Sequence, residues 1–112
     1  MKKNDNSEKA VYGITWLTRE EWQKMRAIAA DPDTLSSSYE DWMMMVWRIA
    51  KDLEQEGNRV KKIPVDTGIF AEWCGHNNRL PNNAARSEYV SYVMATERAF
   101  RQSKKRMKGG DE

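Results

Sequence analysis

Cys74 and His76 have the most direct claim to chemistry, because a thiol beside an imidazole can serve as nucleophile and base. Their spacing argues against that role. Two residues apart on a helix is about 200° of rotation, so the two side chains leave different sides. Cys74 also follows Trp73 on an apolar stripe, where burial raises the pKa of a thiol and leaves it inert. A core cysteine is the expectation.

A second constellation is His76, Asn77 and Arg79 with Arg86. Amides and guanidinium groups can hold an anionic or amide ligand, and a helix starting at Asn82 or Asn83 offers backbone N–H groups to an anion. The plainer reading is a turn-rich loop with Arg86 snorkelling from the next helix. The carboxylate neighbours Glu20/Glu21, Asp31/Asp33 and Glu40/Asp41 each have a capping or turn role. A catalytic dyad needs two carboxyls converging in an apolar cleft, and sequence neighbours on a helix diverge. One cysteine excludes an internal disulfide framework and a multi-cysteine zinc site, and one histidine excludes a histidine-rich metal site. With no glycine-rich phosphate loop, Ser-His-Asp order or metal spacing, the expectation is no catalysis, no cofactor and no metal.

Helical periodicity places these residues. The chain has 112 residues, 39% apolar and 32% charged, which suits one soluble domain. Its longest apolar run, Trp42 to Trp47, is far short of the roughly 20 residues a membrane span needs. The polar start lacks a secretory signal, and a cytoplasmic protein is expected. Residues 1–10 read as a disordered leader, 11–97 as a single globular domain, and 98–112 as a basic helix end and tail. Val11–Trp16 and Arg59–Val65 are rich in β-branched or aromatic residues and predict two short strands that pair with each other.

Thr18-Arg19-Glu20-Glu21 is a capping box, with Leu17 and Trp22 as its hydrophobic staple. That helix runs to about Ala30, where Asp31-Pro32-Asp33 stops it. A second helix follows Ser36–Ser38 and carries Tyr39, Trp42, Met43, Val46, Ile49, Ala50 and Leu53 on one stripe, with Gly57 as terminator. Asp66 caps a third, carrying Ile69, Phe70, Trp73 and Cys74 and closed by Gly75 to Asn78. The last repeats Ala85, Tyr89, Tyr92, Val93, Thr96, Phe100 and Met107. The fold class is therefore mainly α (α+β): four helices around a Trp/Met-rich core with a minor two-stranded element. Trp22, Trp42 and Trp73 fall on core stripes and are read as core, not as a platform for stacking bases.

From Tyr39 to Met94, about half the chain, the sequence resembles a family of small uncharacterised bacterial proteins. The shared pattern is Tyr39-x-x-Trp42, Gly57 before the extended Val60–Val65, Asp66, Phe70, Trp73-Cys74, then Ala85-Arg86 and Tyr89. The resemblance implies a compact bacterial domain and assigns no catalytic residue.

Two features resist a purely structural account. On the second helix, Met44 and Trp47 fall among Arg48, Lys51 and Gln55, where an amphipathic helix should be polar. Cover could come from residues 11–17 or from a partner. Methionine and tryptophan suit interface cores, so Met44, Met45 and Trp47 are the expected protein interface. On the last helix, Arg98, Arg101, Lys105 and Lys108 form a basic stripe that could grip phosphates, or that simply suits a solvated helix C-terminus. Residues 19–56 hold 5 basic and 9 acidic side chains, against 6 and 3 over 97–112, so the charge is uneven although the net is only +2. That small net charge argues against a protein built chiefly to coat nucleic acid. The favoured reading is a small non-catalytic protein that self-associates or acts as an adaptor. Nucleic-acid association through the C-terminal stripe is the alternative.

Overall fold

The computed structural model describes residues 10–110, and the side chains of 10–104. The order is β1 (Val11–Trp16), α1 (Arg19–Ile28), a 3-10 turn (Pro32–Leu35), α2 (Tyr39–Gln55), β2 (Arg59–Pro64), α3 (Thr67–His76) and α4 (Asn83–Gly110). The class is mainly α with a minor β pair. The expected leader falls on residues 1–9, outside the described residues, as do the side chains of Lys105, Met107 and Lys108.

The strands run parallel, from Val11 beside Arg59 to Trp16 beside Pro64. Parallel neighbours need a long crossover, and α1, the 3-10 turn and α2 supply it. Flanking bonds from Arg59 N–H to Ala10 O (2.9 Å) and Val65 N–H to Trp16 O (3.1 Å) extend the ladder at both ends. Gly13 marks the face that meets α4. A Cβ there would lie 2.3 Å from Met94 Sδ and 2.7 Å from Val90 Cγ1. Side chains alternate across a sheet, so Val11, Gly13 and Thr15 share this face with their register partners Arg59, Lys61 and Ile63.

Thr18 caps α1 by accepting from Glu21 N–H at 3.1 Å, but the reciprocal half of the box does not form. Glu21 Oε1 instead accepts from Thr67 N–H at 2.8 Å, and Thr67 Oγ1 donates to Glu21 O at 3.1 Å. Thr67 is buried at the start of α3, where water cannot satisfy its N–H, so that donor outcompetes the solvated cap. The staple pair Leu17 and Trp22 is buried as expected. α1 ends at Ile28, short of Ala30, and the stretch read only as a breaker winds into the 3-10 turn. That turn delivers Leu35 to the core, held by Trp22 Nε1–H donating to Leu35 O at 2.8 Å.

Ser38 caps α2 and Gly57, at φ +93°, terminates it. Trp42 and Val46 are buried, whereas Ile49 stays largely exposed. Asp66 caps α3 through Ile69 N–H. Gly75 lies inside that helix, and the left-handed terminator is Asn78 at φ 55°. Its bonds, Arg79 N–H to Cys74 O (2.9 Å) and Asn78 N–H to Gly75 O (3.4 Å), make a Schellman closure. Ile69, expected on the buried stripe, faces solvent, and Thr67 takes the inward place. Asn82 caps α4 through Ala85 N–H. Ala85, Tyr89 and Val90 are buried; Tyr92 is half-exposed beside Trp73, and Phe100 is exposed where α4 runs past the domain it packs on. The helix crosses the expected boundary at residue 97 without a break.

Candidate functional site

The Cys74 thiol is buried in the core cluster, and burial pushes its pKa up, against a smaller pull from the Arg86 charge. His76 is exposed at the last residue of α3. Among the described residues no three His, Cys, Asp or Glu side chains converge as metal ligands would.

Three of the four residues of the anticipated ligand loop, all but the exposed His76, find separate employment. Asn77 Nδ2–H donates to Trp73 O at 2.8 Å, and Arg79 pairs with Glu88 at 2.7 Å. Arg86 does not snorkel. It is 4% exposed, and its Nη2–H donates to Thr34 Oγ1 at 2.8 Å. Its Nη1 lies 3.5 Å from Asp31 Oδ1, an ion contact longer than a hydrogen bond. Burial pushes the guanidinium below its usual pKa range, and the Asp31 charge partly restores it. The other Asp31 oxygen, Oδ2, accepts from Asn83 N–H at 2.8 Å. The anion position at the start of α4 is thus filled by the protein's own carboxylate. Ala30 N–H donates to Pro81 O at 2.9 Å beside it, so this corner fastens the 3-10 turn to α4.

A cleft of about 280 Å³ opens beside this clamp. Ile14, Leu35, Met45 and Ile49 give it apolar walls, and Arg86 stands on one side. Because Asp31 answers the Arg86 charge, the cleft presents no unmatched cation. It does account for Met45. That side chain packs partly buried against the core, so it leaves the expected interface.

Met44 and Trp47 have the opposite fate. They are 61% and 63% exposed, and no segment of the described chain covers them. Residues 11–17, the alternative cover, run instead into the sheet and the core. Glu40, Met44, Trp47 and Lys51 recur at 4-3-4 spacing and fall within about 60° of one another around α2. Lys51 Nζ stands 4.9 Å above the Trp47 ring, and Glu40 pairs with Arg19.

The basic stripe of α4 is joined by residues from the sheet. Arg98 and Arg101 line a groove of about 440 Å³ together with Arg59 and Lys61 of β2. The two β2 cations were not singled out by any sequence pattern, because Arg59-Val60-Lys61-Lys62 reads as the start of an ordinary solvated strand. Their alternate spacing was the available signal. It puts Arg59 and Lys61 on one face, and the parallel register turns that face toward α4. Glu97 enters the groove by pairing with Lys61 at 3.0 Å and Arg101 at 3.9 Å. No helix among the described residues is long and apolar enough to cross a membrane.

No family model, curated protein or solved structure matches this chain.

Proposed function

We propose that the protein is a non-catalytic interaction module that pairs with a second copy of itself through the outer face of α2. The observation that carries this reading is the exposure of Met44 and Trp47, two large adjacent apolar side chains on an otherwise charged face.

The stripe is also self-complementary. In an antiparallel pair of α2 helices centred midway between residues 44 and 47, Met44 meets the partner's Trp47. Glu40 meets the partner's Lys51. The 4-3-4 spacing is that of an antiparallel coiled-coil seam, with two apolar layers flanked by two oppositely charged ones. Lys51 remains stacked on its own Trp47 while its ammonium reaches the facing carboxylate. A contact about 18 Å long is small, so the dimer is weak and dissociates in the micromolar range.

Sedimentation equilibrium over roughly 1 µM to 1 mM tests this. The expected result is a concentration-dependent dimer, little changed by salt, that Met44→Ser with Trp47→Ala turns monomeric without loss of helical signal. Glu40→Lys and Lys51→Glu should each weaken association, and the two together should restore it. A wild-type chain that stays monomeric throughout, or a dimer indifferent to the Met44/Trp47 pair, would overturn the proposal. A dimer that loses mass with that pair but ignores the charge exchange would keep the face and reject the register.

A further inference from the structure

We infer that the groove between β2 and α4 binds the phosphate backbone of a nucleic-acid duplex, with Arg59, Lys61, Arg98 and Arg101 as the contacting cations. These come from two elements more than thirty residues apart in sequence, and the fold brings them together. α4 crosses the sheet at Gly13, where Val90 and Met94 press on the strand and on Ile63. Running on, it passes Lys61 at Glu97 and reaches the level of Arg59 with Arg98 and Arg101. Four cations face one carboxylate, Glu97, so the groove holds a net +3 while the whole chain carries +2. Among the described residues neither Arg59 nor Arg98 meets a carboxylate within ion-pair distance.

The lining decides the class of ligand. Apart from the cations it is aliphatic, with Val11, Val60 and Met94, and it holds no aromatic ring. Unstacked bases therefore have no platform here, which removes the main attraction of a single strand. The available contacts are ammonium and guanidinium groups in the open, and the arginine fork matches two phosphate oxygens at once. Charge-only contacts of this kind hold a duplex backbone without reading its sequence. This is a separate surface from the outer face of α2, and it does not depend on pairing there.

The test is fluorescence anisotropy with a labelled 20-base-pair DNA duplex of arbitrary sequence, titrated at several salt concentrations. Four phosphate contacts predict a slope of about −3.6 in log K against log salt, which is about a hundredfold weakening from 50 to 200 mM. Arg59→Ala and Arg98→Ala, both at exposed positions, should each reduce the slope by about one and leave the circular dichroism unchanged. Glu97→Gln, which removes the acid in the groove, should tighten binding. Absence of binding at 50 mM salt would overturn the inference, as would binding that Arg59→Ala and Arg98→Ala leave intact. Displacement by a few millimolar inorganic phosphate would reassign the groove to the free ion. Equal affinity for phosphatidylglycerol vesicles would reassign it to a membrane surface.

Discussion

Arg86 and Arg98 stand on the same helix, twelve residues apart, and their surroundings give them opposite uses. Arg86 is sealed under the 3-10 turn with Thr34 and Asp31. Arg98 lies in an open groove whose one acid, Glu97, pairs with Lys61 and Arg101, and Arg98 itself makes no ion pair among the described residues. A buried cation must be answered within the fold, because removing it from water costs several kcal/mol unless a partner compensates. An exposed cation needs no answer from the chain, and is free to meet one from outside. The same side chain is thus a fastener at the start of α4 and an open, unanswered cation midway along it.

The clamp is the end to break first. Asp31→Ala should produce the largest effect, because it leaves Arg86 buried without its counter-charge and strips the N–H of Asn83 of its acceptor. A loss of about 3–5 kcal/mol in urea unfolding followed by tryptophan fluorescence is expected. Adding Arg86→Met should recover most of it, since the apolar pair leaves no orphaned charge. A loss below about 1 kcal/mol for Asp31→Ala would mean that water already compensates Arg86, erasing the contrast with Arg98.

Between clamp and groove lies Gly13, where β1 and α4 touch. Gly13→Ala should cost about 1–3 kcal/mol, because the new methyl would overlap Val90. Met94 Sδ, closer still, ends a flexible chain and can move aside, whereas the β-branched Val90 cannot. Gly13→Ala combined with Val90→Ala should therefore cost less than the sum of the two. The displacement should also weaken duplex binding, since it lifts the half of α4 that bears Arg98 away from Arg59. Strict additivity would show that the two side chains do not compete for this space.

What was legible in the sequence follows the same division. Helix starts were readable at Thr18 and Asp66, and to within a residue or two at Ser36–Ser38 and Asn82 or Asn83, because a cap is a contact between residues three apart. Trp42 and Val46 on α2 and Cys74 on α3 were readable from helical period, whereas Ile49 and Ile69, which the same period placed inside, are exposed because no neighbouring element covers them. The partners of Arg86 were not, since Asp31 and Thr34 are more than fifty residues away and reach it only through the 3-10 turn. Met45 misled for a related reason. Its neighbours Met44 and Trp47 face out, but the cleft wall it completes is built by β1 and the turn. Arg98 and Arg101 could be placed on one face by spacing, while Arg59 and Lys61 joined them only once the parallel register was known.

A second carboxylate shows how far the contrast reaches. Glu21 serves α3 as Asp31 serves α4, by accepting a backbone N–H at the start of a distant helix, but the cation beside it, Lys24 at 3.5 Å, is exposed where Arg86 is buried. Its bond to the Thr67 N–H, with a contribution from the Thr67 hydroxyl, holds its pKa below the ordinary carboxylate value. A depressed folded pKa adds stability above the unfolded value near about 4.3, and that stability is lost as pH falls through the folded value. Other acids titrate over the same range, so the informative quantity is the difference from Glu21→Gln, which keeps an acceptor oxygen and removes the charge. At pH 7 the variant should be less stable by about 1 kcal/mol, the smallest effect in this series. The gap in urea midpoint should narrow as pH falls below about 4 and close once Glu21 is protonated. A gap that stays constant down to pH 2 would mean that shape, not charge, makes the cap, and would leave Asp31, of these two carboxylates, as the one whose charge the fold requires.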